Sequence, residues 1–392
     1  MMRVYMYPAG QAGMALYSYK LANALADKGL QVALFVDDQY ELDSLPAKFN
    51  KVKVLSSKHV STRSDWHLMA RPFGIIGAHY YNWYKFYSYI KKDRPEIVHI
   101  QSLFYLVDFQ MLTHVKGPNS RVVLTVHDVM PHKFYVRRLA WLEVVMLRHM
   151  YRKADKLIVH AEANKQQLLA NFSIDEGKVT IIPHGEYSLQ GISQEVSENE
   201  ARSALNLNDN DKVILYFGYI RRTKGIDVLL KAFDRVAERF SDIVLVISGS
   251  VIQGESFNEH RQTMNKLKCR SRIKCFLKYV EHLDVPIFFM PADIVILPYL
   301  QFHSQSGVLH LAQGFGKPVI VTDVGGLPEV VDDRKTGLIV PAGDVEALAR
   351  AMTYLLENDR LRAEMGQRAR EMAMQRFSWE AIAKATIEKA YS

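Results

Sequence analysis

Short apolar runs rich in β-branched residues alternate with segments of helical length along the whole chain. Runs of about four to eight such residues favour buried strands, and apolar residues three and four apart favour helices, as over residues 14–27. Strands that are apolar on both faces, with helices between them, indicate a parallel sheet covered on both sides. In the first half, strands are predicted at residues 3–7, 31–36, 52–55, 97–100, 121–126, 156–160 and 179–183.

The same pattern restarts after a polar, acidic stretch around residues 190–211. Further strands are predicted at 212–217, 243–248, 273–277, 293–297, 318–322 and 338–340, with a helix at 226–240. Two doubly wound sheets facing each other leave a cleft at the carboxyl ends of their strands, where ligands bind. The predicted parts are an N-terminal Rossmann-like domain (1–185), a linker (186–211), a C-terminal Rossmann-like domain (212–375) and a terminal helix crossing back to the first domain (376–392).

Two glycine-bounded loops each follow a predicted strand and open a helix. The first, with Gly10 and Gly13, lacks the third glycine of a dinucleotide fingerprint, so it is either a tight turn or a cleft loop. The second runs from residue 218 to residue 225 and contains Arg221, Arg222 and Lys224. Three cations at a helix N-terminus suit a diphosphate, although they are also compatible with a solvated basic loop.

Small polar residues precede a third helix, predicted to begin near Val308. They can cap that helix, or they can present hydroxyl and N–H groups to a phosphate and a sugar. A glycine-rich turn with Gly325 and Gly326 follows the next strand. The candidate ligand residues of this segment are Ser304, Gln305, Ser306, Gly307, Val308 and Glu329.

In order and spacing, these loops resemble glycosyltransferase family 4, a retaining family. The resemblance is strongest over residues 217–344 and is looser in the first half, where residues 10–13 and 125–128 carry it. It implies an α/β GT-B fold of two Rossmann-like doubly wound domains, with a nucleotide sugar as donor. The matching pieces are Gly218 with Lys224-Gly225, Ala292-Asp293-Ile294, Leu297-Pro298, Gly316-Lys317-Pro318-Val319, Gly325-Gly326-Leu327-Pro328-Glu329 and Thr336-Gly337.

The resemblance further implies that Lys224 and an arginine of the same loop hold the donor diphosphate. The family usually places that arginine directly after the glycine, where this chain has Tyr219. Arg221 is the predicted substitute, with Arg222 in reserve. Backbone N–H groups for the phosphates are expected at Ser306, Gly307 and Val308, and Gly218 and Glu329 are further candidates at the donor site.

The chain departs from the family at two acidic positions. The family commonly carries two glutamates eight residues apart, one near the donor sugar and one on the ribose. Aligned from Gly316, those positions hold His303 and Leu311. We therefore expect the sugar contacts to come from His303, Ser304 and Gln305. The ribose contacts must come from elsewhere, because Leu311 cannot hold a ribose.

His127 and Asp128 end a strongly apolar strand, which predicts both side chains at the cleft rim. In the family a histidine here contacts the donor sugar and phosphate. In a retaining transferase His127 would position groups and stabilise charge, whereas Asp128 would be the base of an inverting reaction. A structural, hydrogen-bonded histidine is the alternative interpretation.

Neither metal nor cofactor is expected beyond the nucleotide sugar, which is a co-substrate. Asp209 and Asp211 superficially match a metal-binding acidic pair, but they lie in a polar stretch where aspartate is an ordinary turn residue. The two cysteines, Cys269 and Cys275, match no disulfide framework. No apolar run reaches the ~18 residues of a membrane span, which predicts a cytoplasmic protein.

A formal net charge of +8 predicts an anionic partner. Cations crowd residues 132–156, and aromatic residues crowd residues 79–87. A basic amphipathic helix can lie on anionic lipid, at the inner face of the membrane, or it can be an ordinary helix packed on the core. A nucleic-acid partner is not expected, because no RNA-binding motif accompanies the basic segment.

The predicted function is therefore transfer of a hexose-type sugar to a lipid-linked or saccharide acceptor, in surface polysaccharide or glycolipid assembly. The first domain would hold the acceptor and the second the donor. Two alternatives remain open. One is a sugar-nucleotide epimerase of the same fold, and the other is a non-enzymatic partner subunit that has lost the family's carboxylates.

Overall fold

A computed structural model describes residues 1–8, 13–56, 71–101, 112, 115, 120–130, 140–187, 196–252 and 255–392. The chain divides into two compact units. The first unit comprises Met1–Gly185 and Trp379–Ser392, and the second comprises Glu186–Ser378. Each unit contains its own parallel sheet, which confirms the predicted fold class.

The sheet of the first unit has seven strands in the order β3-β2-β1-β4-β5-β6-β7, and all of its neighbours pair in parallel. Parallel strands buried on both faces have nearly continuous apolar sequences, as in β4, where all four residues are buried and only His99 is polar. The strands are β1 (Arg3–Tyr7), β2 (Gln31–Asp37), β3 (Asn50–Leu55), β4 (Ile97–Ile100), β5 (Arg121–Thr125), β6 (Lys156–Val159) and β7 (Val179–Ile181). Helices of this unit are α1 (Gly13–Asp27), α2 (Arg71–Asp93), α3 (Ala140–Lys153) and α4 (Glu162–Phe172).

The sheet of the second unit has six strands in the order β10-β9-β8-β11-β12-β13, again paired in parallel. They are β8 (Lys212–Phe217), β9 (Ile243–Ser248), β10 (Ile273–Phe276), β11 (Ala292–Leu297), β12 (Val319–Thr322) and β13 (Gly337–Val340). The helices are α5 (Glu198–Ala204), α6 (Ile226–Ala237), α7 (Asn258–Asn265), α8 (Val285–Phe289), α9 (Gly307–Gly314), α10 (Val345–Leu356) and α11 (Asp359–Arg376).

All thirteen predicted strands are present, and their ends differ from the prediction by at most two residues. Helix α6 shows why the spacing of apolar residues predicted the helices. Leu229, Phe233 and Val236 lie on one face, and all three are buried in the core of the second unit. The helix ends at Ala237, three residues earlier than predicted.

Residues 186–211, predicted as a linker, fall within the second unit. Their last part is ordered by helix α5, which begins with a capping box: Ser197 accepts a hydrogen bond from the N–H of Glu200, and the Glu200 carboxylate accepts one from the N–H of Ser197. Asp211 closes the turn before β8, because its carboxylate accepts a hydrogen bond from the N–H of Asn208 at 2.8 Å.

The predicted terminal segment divides between the units at residue 378. Helix α12 (Trp379–Thr386) and the single π turn Ile387–Tyr391 belong to the first unit. Trp379 packs directly on Gly185, where a Cβ atom would lie 2.4 Å from the indole ring. The Tyr391 hydroxyl is 2.7 Å from Nδ1 of His99 on β4. Within the described ranges, no helix is both long enough and apolar enough to cross a bilayer.

Candidate functional site

The loop of residues 218–225 follows β8 and is fastened to the segment that follows β11. Gly225 has a φ of 71°, and a Cβ there would lie 1.8 Å from the carbonyl oxygen of Pro298. The N–H of Leu300 donates to the carbonyl of Thr223 at 2.8 Å. Only glycine permits this approach of the two backbones, which explains the glycine at the end of the loop.

The ammonium group of Lys224 lies on two aromatic faces. Its Nζ is 3.4 Å from the centroid of the Tyr299 ring and 4.2 Å from that of Phe302. A cation over the face of an aromatic ring is held by the ring's quadrupole. The charge of Lys224 is therefore positioned by the fold, not left on a freely rotating side chain.

Arg221 is the second half-buried cation of the loop. Its Nε is buried and makes no hydrogen bond to any described residue. Burial raises the pKa of Tyr299 to about 12, and the positive charge of Arg221 opposes that rise. A half-buried guanidinium group that has no carboxylate partner among the described residues is a candidate site for an anion. Arg222, the reserve candidate, is exposed.

A third segment completes this arrangement before helix α9. Ser304, Gln305 and Ser306 are all buried. The Ser304 carbonyl accepts a hydrogen bond from the N–H of Gly326 at 3.1 Å, and a Cβ at Gly325 would lie 2.6 Å from the carbonyl oxygen of Phe302. The loop 218–225, the segment before α9 and the turn with Gly325 and Gly326 are thus packed together at the carboxyl ends of β8, β11 and β12.

The other candidates of the second unit lie in or beside these segments. Gly218 has a φ of 116°, and a Cβ there would approach a methyl of Val308 to 3.2 Å. His303 is exposed, whereas Glu329 is half-buried after the Gly325 turn. Gly249 was not predicted as part of the site, but a Cβ there would lie 1.9 Å from the carbonyl oxygen of Gly218. Its signal was its position directly after β9.

In the first unit, three histidines follow three neighbouring strands. His127, His160 and His184 come after β5, β6 and β7, with ring centroids 4.8 Å apart for the first pair and 5.2 Å for the second pair. Tyr17 of helix α1 presents edge contacts to all three, at 5.0, 5.4 and 4.8 Å between centroids. Trp379 packs against Tyr17 at 5.3 Å.

Burial controls the charge of His127 and His160. It lowers the pKa of His160 to about 4, and it lowers the pKa of His127 well below its usual range. His127 is therefore a neutral imidazole at pH 7, which can hydrogen-bond a ligand but brings no positive charge. Of the predicted residues, Asp128 is half-buried next to it, Gly13 begins helix α1, and Gly10 lies outside the described residues.

Sequence comparison matches a family to each unit. The family described as Glycosyltransferase Family 4 matches residues 12–185. The family described as Glycosyl transferases group 1 matches residues 197–372, so the two matches together span most of the chain. The chain belongs to glycosyltransferase family 4. The predicted family is confirmed by these two matches.

Two curated relatives illustrate how far this family likeness extends. The D-inositol 3-phosphate glycosyltransferase of Corynebacterium glutamicum is 30% identical over 235 residues, which cover 59% of this chain. The match spans 55% of that relative's length. An uncharacterized glycosyltransferase of Methanocaldococcus jannaschii is 24% identical over 400 residues, covering 96% of this chain and 93% of its own.

A solved structure confirms the GT-B fold. HepE of Anabaena, in complex with UDP and glucose, superposes with a TM-score of 0.75 and covers 99% of both chains. The sequence identity is 17%. At this level of identity the likeness establishes the architecture of this chain and nothing about its substrates.

Proposed function

We propose that this glycosyltransferase moves a hexose-type sugar, with retention, from a nucleoside diphosphate donor to a lipid-linked or saccharide acceptor. The observation that carries the proposal is the pair of positioned cations, Arg221 and Lys224, in the glycine-bounded loop after β8. Two half-buried positive charges at a strand's carboxyl end are complementary to a diphosphate. UDP and glucose in the HepE structure provide a precedent for such a donor on this fold.

The surrounding segments supply the remaining donor contacts in this proposal. Backbone N–H groups of Ser306, Gly307 and Val308, at the start of α9, face the phosphates. His303, Ser304 and Gln305 contact the sugar, in place of the family's glutamate. Leu311 cannot hydrogen-bond the ribose, so other groups of the second unit bind it in this proposal.

In this proposal the first unit holds the acceptor. His127 positions hydroxyl groups, and the leaving phosphate takes the acceptor proton, so a retaining reaction needs no strong protein base. Asp128 would act as the base if the reaction inverted the anomeric centre. Gly10 and Gly13 are proposed to line the acceptor loop.

The test is a panel of sugar nucleotides, with lipid-linked and saccharide acceptors, followed by mass spectrometry with and without EDTA. Since Arg221 and Lys224 supply the positive charge at the diphosphate, we expect transfer to continue in EDTA at more than about half its rate. A strict requirement for magnesium or manganese would contradict this prediction and return attention to Asp209 and Asp211.

The same panel distinguishes the two alternatives. An epimerase would convert the sugar of the donor without any acceptor. The replacement of both family glutamates, by His303 and Leu311, favours a non-enzymatic partner subunit as the second candidate. That reading becomes the better one if the protein neither transfers nor hydrolyses any donor.

We also propose peripheral contact with an anionic membrane through helix α3. The helix packs on the core through Leu147 and Met150. Trp141 and Val145 remain 64% and 47% exposed, one helical turn apart. Exposed apolar groups on a helix with Arg152 and Lys153 in its last turn suit the surface of an anionic bilayer.

Binding to anionic vesicles is expected to fall as salt rises, because the attraction of exposed cations to the surface is screened. Replacing Arg152 and Lys153 by Glu should weaken binding about tenfold or more, at roughly 1 kcal/mol for each surface cation removed. Co-sedimentation with anionic and zwitterionic vesicles measures the effect. Arg137 and Arg138, two further cations of the basic segment 132–156, lie outside the described residues.

The matched control for the apolar contact uses the second unit. Trp141→Ser removes an exposed aromatic residue from α3, and Tyr354→Ser removes one from α10, where Tyr354 is 49% exposed. Only the first substitution should reduce vesicle binding. If the wild-type protein ignores anionic vesicles at low salt, the membrane contact is wrong and a soluble acceptor is favoured.

A further inference from the structure

His127 is hydrogen-bonded through a second histidine to the backbone. Nδ1 of His160 lies 2.9 Å from the carbonyl oxygen of Ile182, and Nε2 of His160 lies 2.9 Å from Nδ1 of His127. A carbonyl oxygen only accepts hydrogen bonds, so His160 must carry a proton on Nδ1 and donate it to Ile182.

The same series of hydrogen bonds determines which nitrogen of His127 carries the proton. His160 is almost completely buried, and burial lowers its pKa to about 4, so the ring is neutral at pH 7. A neutral imidazole with its proton on Nδ1 has a lone pair on Nε2. His160 therefore accepts a hydrogen bond from His127, and the donor in that bond is Nδ1 of His127.

We propose that His160 is a positioning residue that holds His127 in the tautomer protonated on Nδ1, so that Nε2 of His127 can act toward a substrate only as a hydrogen-bond acceptor. The ligand atom matched by the lone pair of that nitrogen is a hydroxyl hydrogen, and not a phosphate oxygen, because an unprotonated nitrogen cannot donate to a phosphate. This inference rests on the proposed function only in assigning the hydroxyl to a sugar donor or an acceptor.

The packing around the pair keeps both rings in this arrangement. Tyr17 contacts the edges of His127 and His160, and His184 packs against both rings, at 6.5 and 5.2 Å between centroids. The other titratable groups that act on the pair are Asp128 and His99. Asp128 raises the pKa of His160, but the effect of burial is larger, so the pair remains neutral at pH 7.

The tautomer is measured directly by ¹⁵N NMR of the full-length protein labelled at histidine, without ligand, at pH 7. For His127, we expect the proton on Nδ1 and a pyridine-like signal from Nε2. A proton on Nε2 of His127 in the wild-type protein would overturn the proposal. This result requires no substrate, so it is independent of whether the proposed function is right.

Variants test whether His160 imposes the tautomer. His160→Phe removes the acceptor and should release His127 into a mixture of tautomers. His160→Gln should retain the Nδ1 tautomer, because its side-chain carbonyl can take the place of Nε2. The control is His99→Phe, which removes another buried histidine of the same sheet and should leave the tautomer of His127 unchanged. A single Nδ1 tautomer in a folded His160→Phe protein would overturn the role of His160.

Kinetics separate positioning from a merely structural role. His160→Phe should lower kcat about 10- to 100-fold, as loss of an orienting partner does in other sites. In a His127→Ala background, the same substitution should change kcat less than about twofold, since the group it orients is gone. An equal loss in both backgrounds would overturn the proposal.

The source of the hydroxyl is read from two reactions of the His160→Phe protein. If the hydroxyl belongs to the donor sugar, hydrolysis of the donor without acceptor falls together with transfer. If it belongs to the acceptor, only transfer falls. Should the wild-type protein act on no donor at all, the proposed function fails, and the NMR measurement alone decides the tautomer.

Discussion

Replacing Lys224 by Ala is expected to weaken the binding of a bare nucleoside diphosphate about 10- to 150-fold. The ammonium group lies 3.4 Å from the Tyr299 ring centroid, in the same loop as the half-buried Arg221. Loss of one charge-assisted hydrogen bond from such a site costs about 1.5–3 kcal/mol, and each 1.4 kcal/mol is a factor of ten. Isothermal titration with several nucleoside diphosphates measures the change.

Two controls make this result specific to the site. Lys231→Ala removes the same charge from the exposed side of α6 and should leave the affinity within about twofold. Arg221→Ala should resemble Lys224→Ala, whereas Arg222→Ala should have a much smaller effect, because Arg222 is exposed. Unchanged affinity in a folded Lys224→Ala protein would reject the diphosphate site.

Replacing Gly225 by Ala is expected to destabilise the second unit by about 3 kcal/mol or more and to abolish nucleotide binding. The new methyl group would lie 1.8 Å from the Pro298 carbonyl oxygen, and the residue would have to keep a φ of 71°. Overpacking against rigid backbone and a left-handed conformation both add to the free-energy cost. Urea unfolding monitored by circular dichroism gives the change in the free energy of unfolding.

Gly343 offers a matched comparison. Its φ is 79°, close to that of Gly225, but the nearest atom to an added Cβ is Leu300 Cδ2 at 3.8 Å. Gly343→Ala should therefore cost about 1 kcal/mol from the backbone conformation alone. If the two substitutions cost the same, the close approach of Gly225 to Pro298 does not stabilise the unit.

The strands and the loops of the second unit could be predicted because their signals are local. Apolar runs such as β9 and amphipathic helices such as α6 are visible in any window of the sequence. Glycines at residues 218, 225 and 325 mark backbone positions of positive φ, which few other residues tolerate. The rule that ligands bind at the carboxyl ends of parallel strands then led to three segments that the fold packs together.

The sequence analysis ranked Arg221 above Arg222, but the sequence offers no physical ground for that order, since the two residues are adjacent and chemically identical. The choice depends on which guanidinium the fold withdraws from solvent, and Arg221 is the one that is half-buried. The same limit applies to helix α3, whose apolar residues divide between core and solvent. Leu147 packs inside and Trp141 remains outside, a division that depends on the neighbouring elements.

The sequence by itself determined two parallel α/β units, the glycine-bounded cation loop and His127 at a strand end. Only the tertiary structure decided that His127, His160 and His184 meet, because strand order in a parallel sheet is set by pairing between distant segments. The contact between Tyr17 and Trp379 was also decided by the tertiary structure, since the two residues are far apart in the sequence. Such contacts cannot be recognised from the spacing of apolar residues. Each histidine simply follows a buried strand, and the sequence around it does not indicate which other residues it contacts.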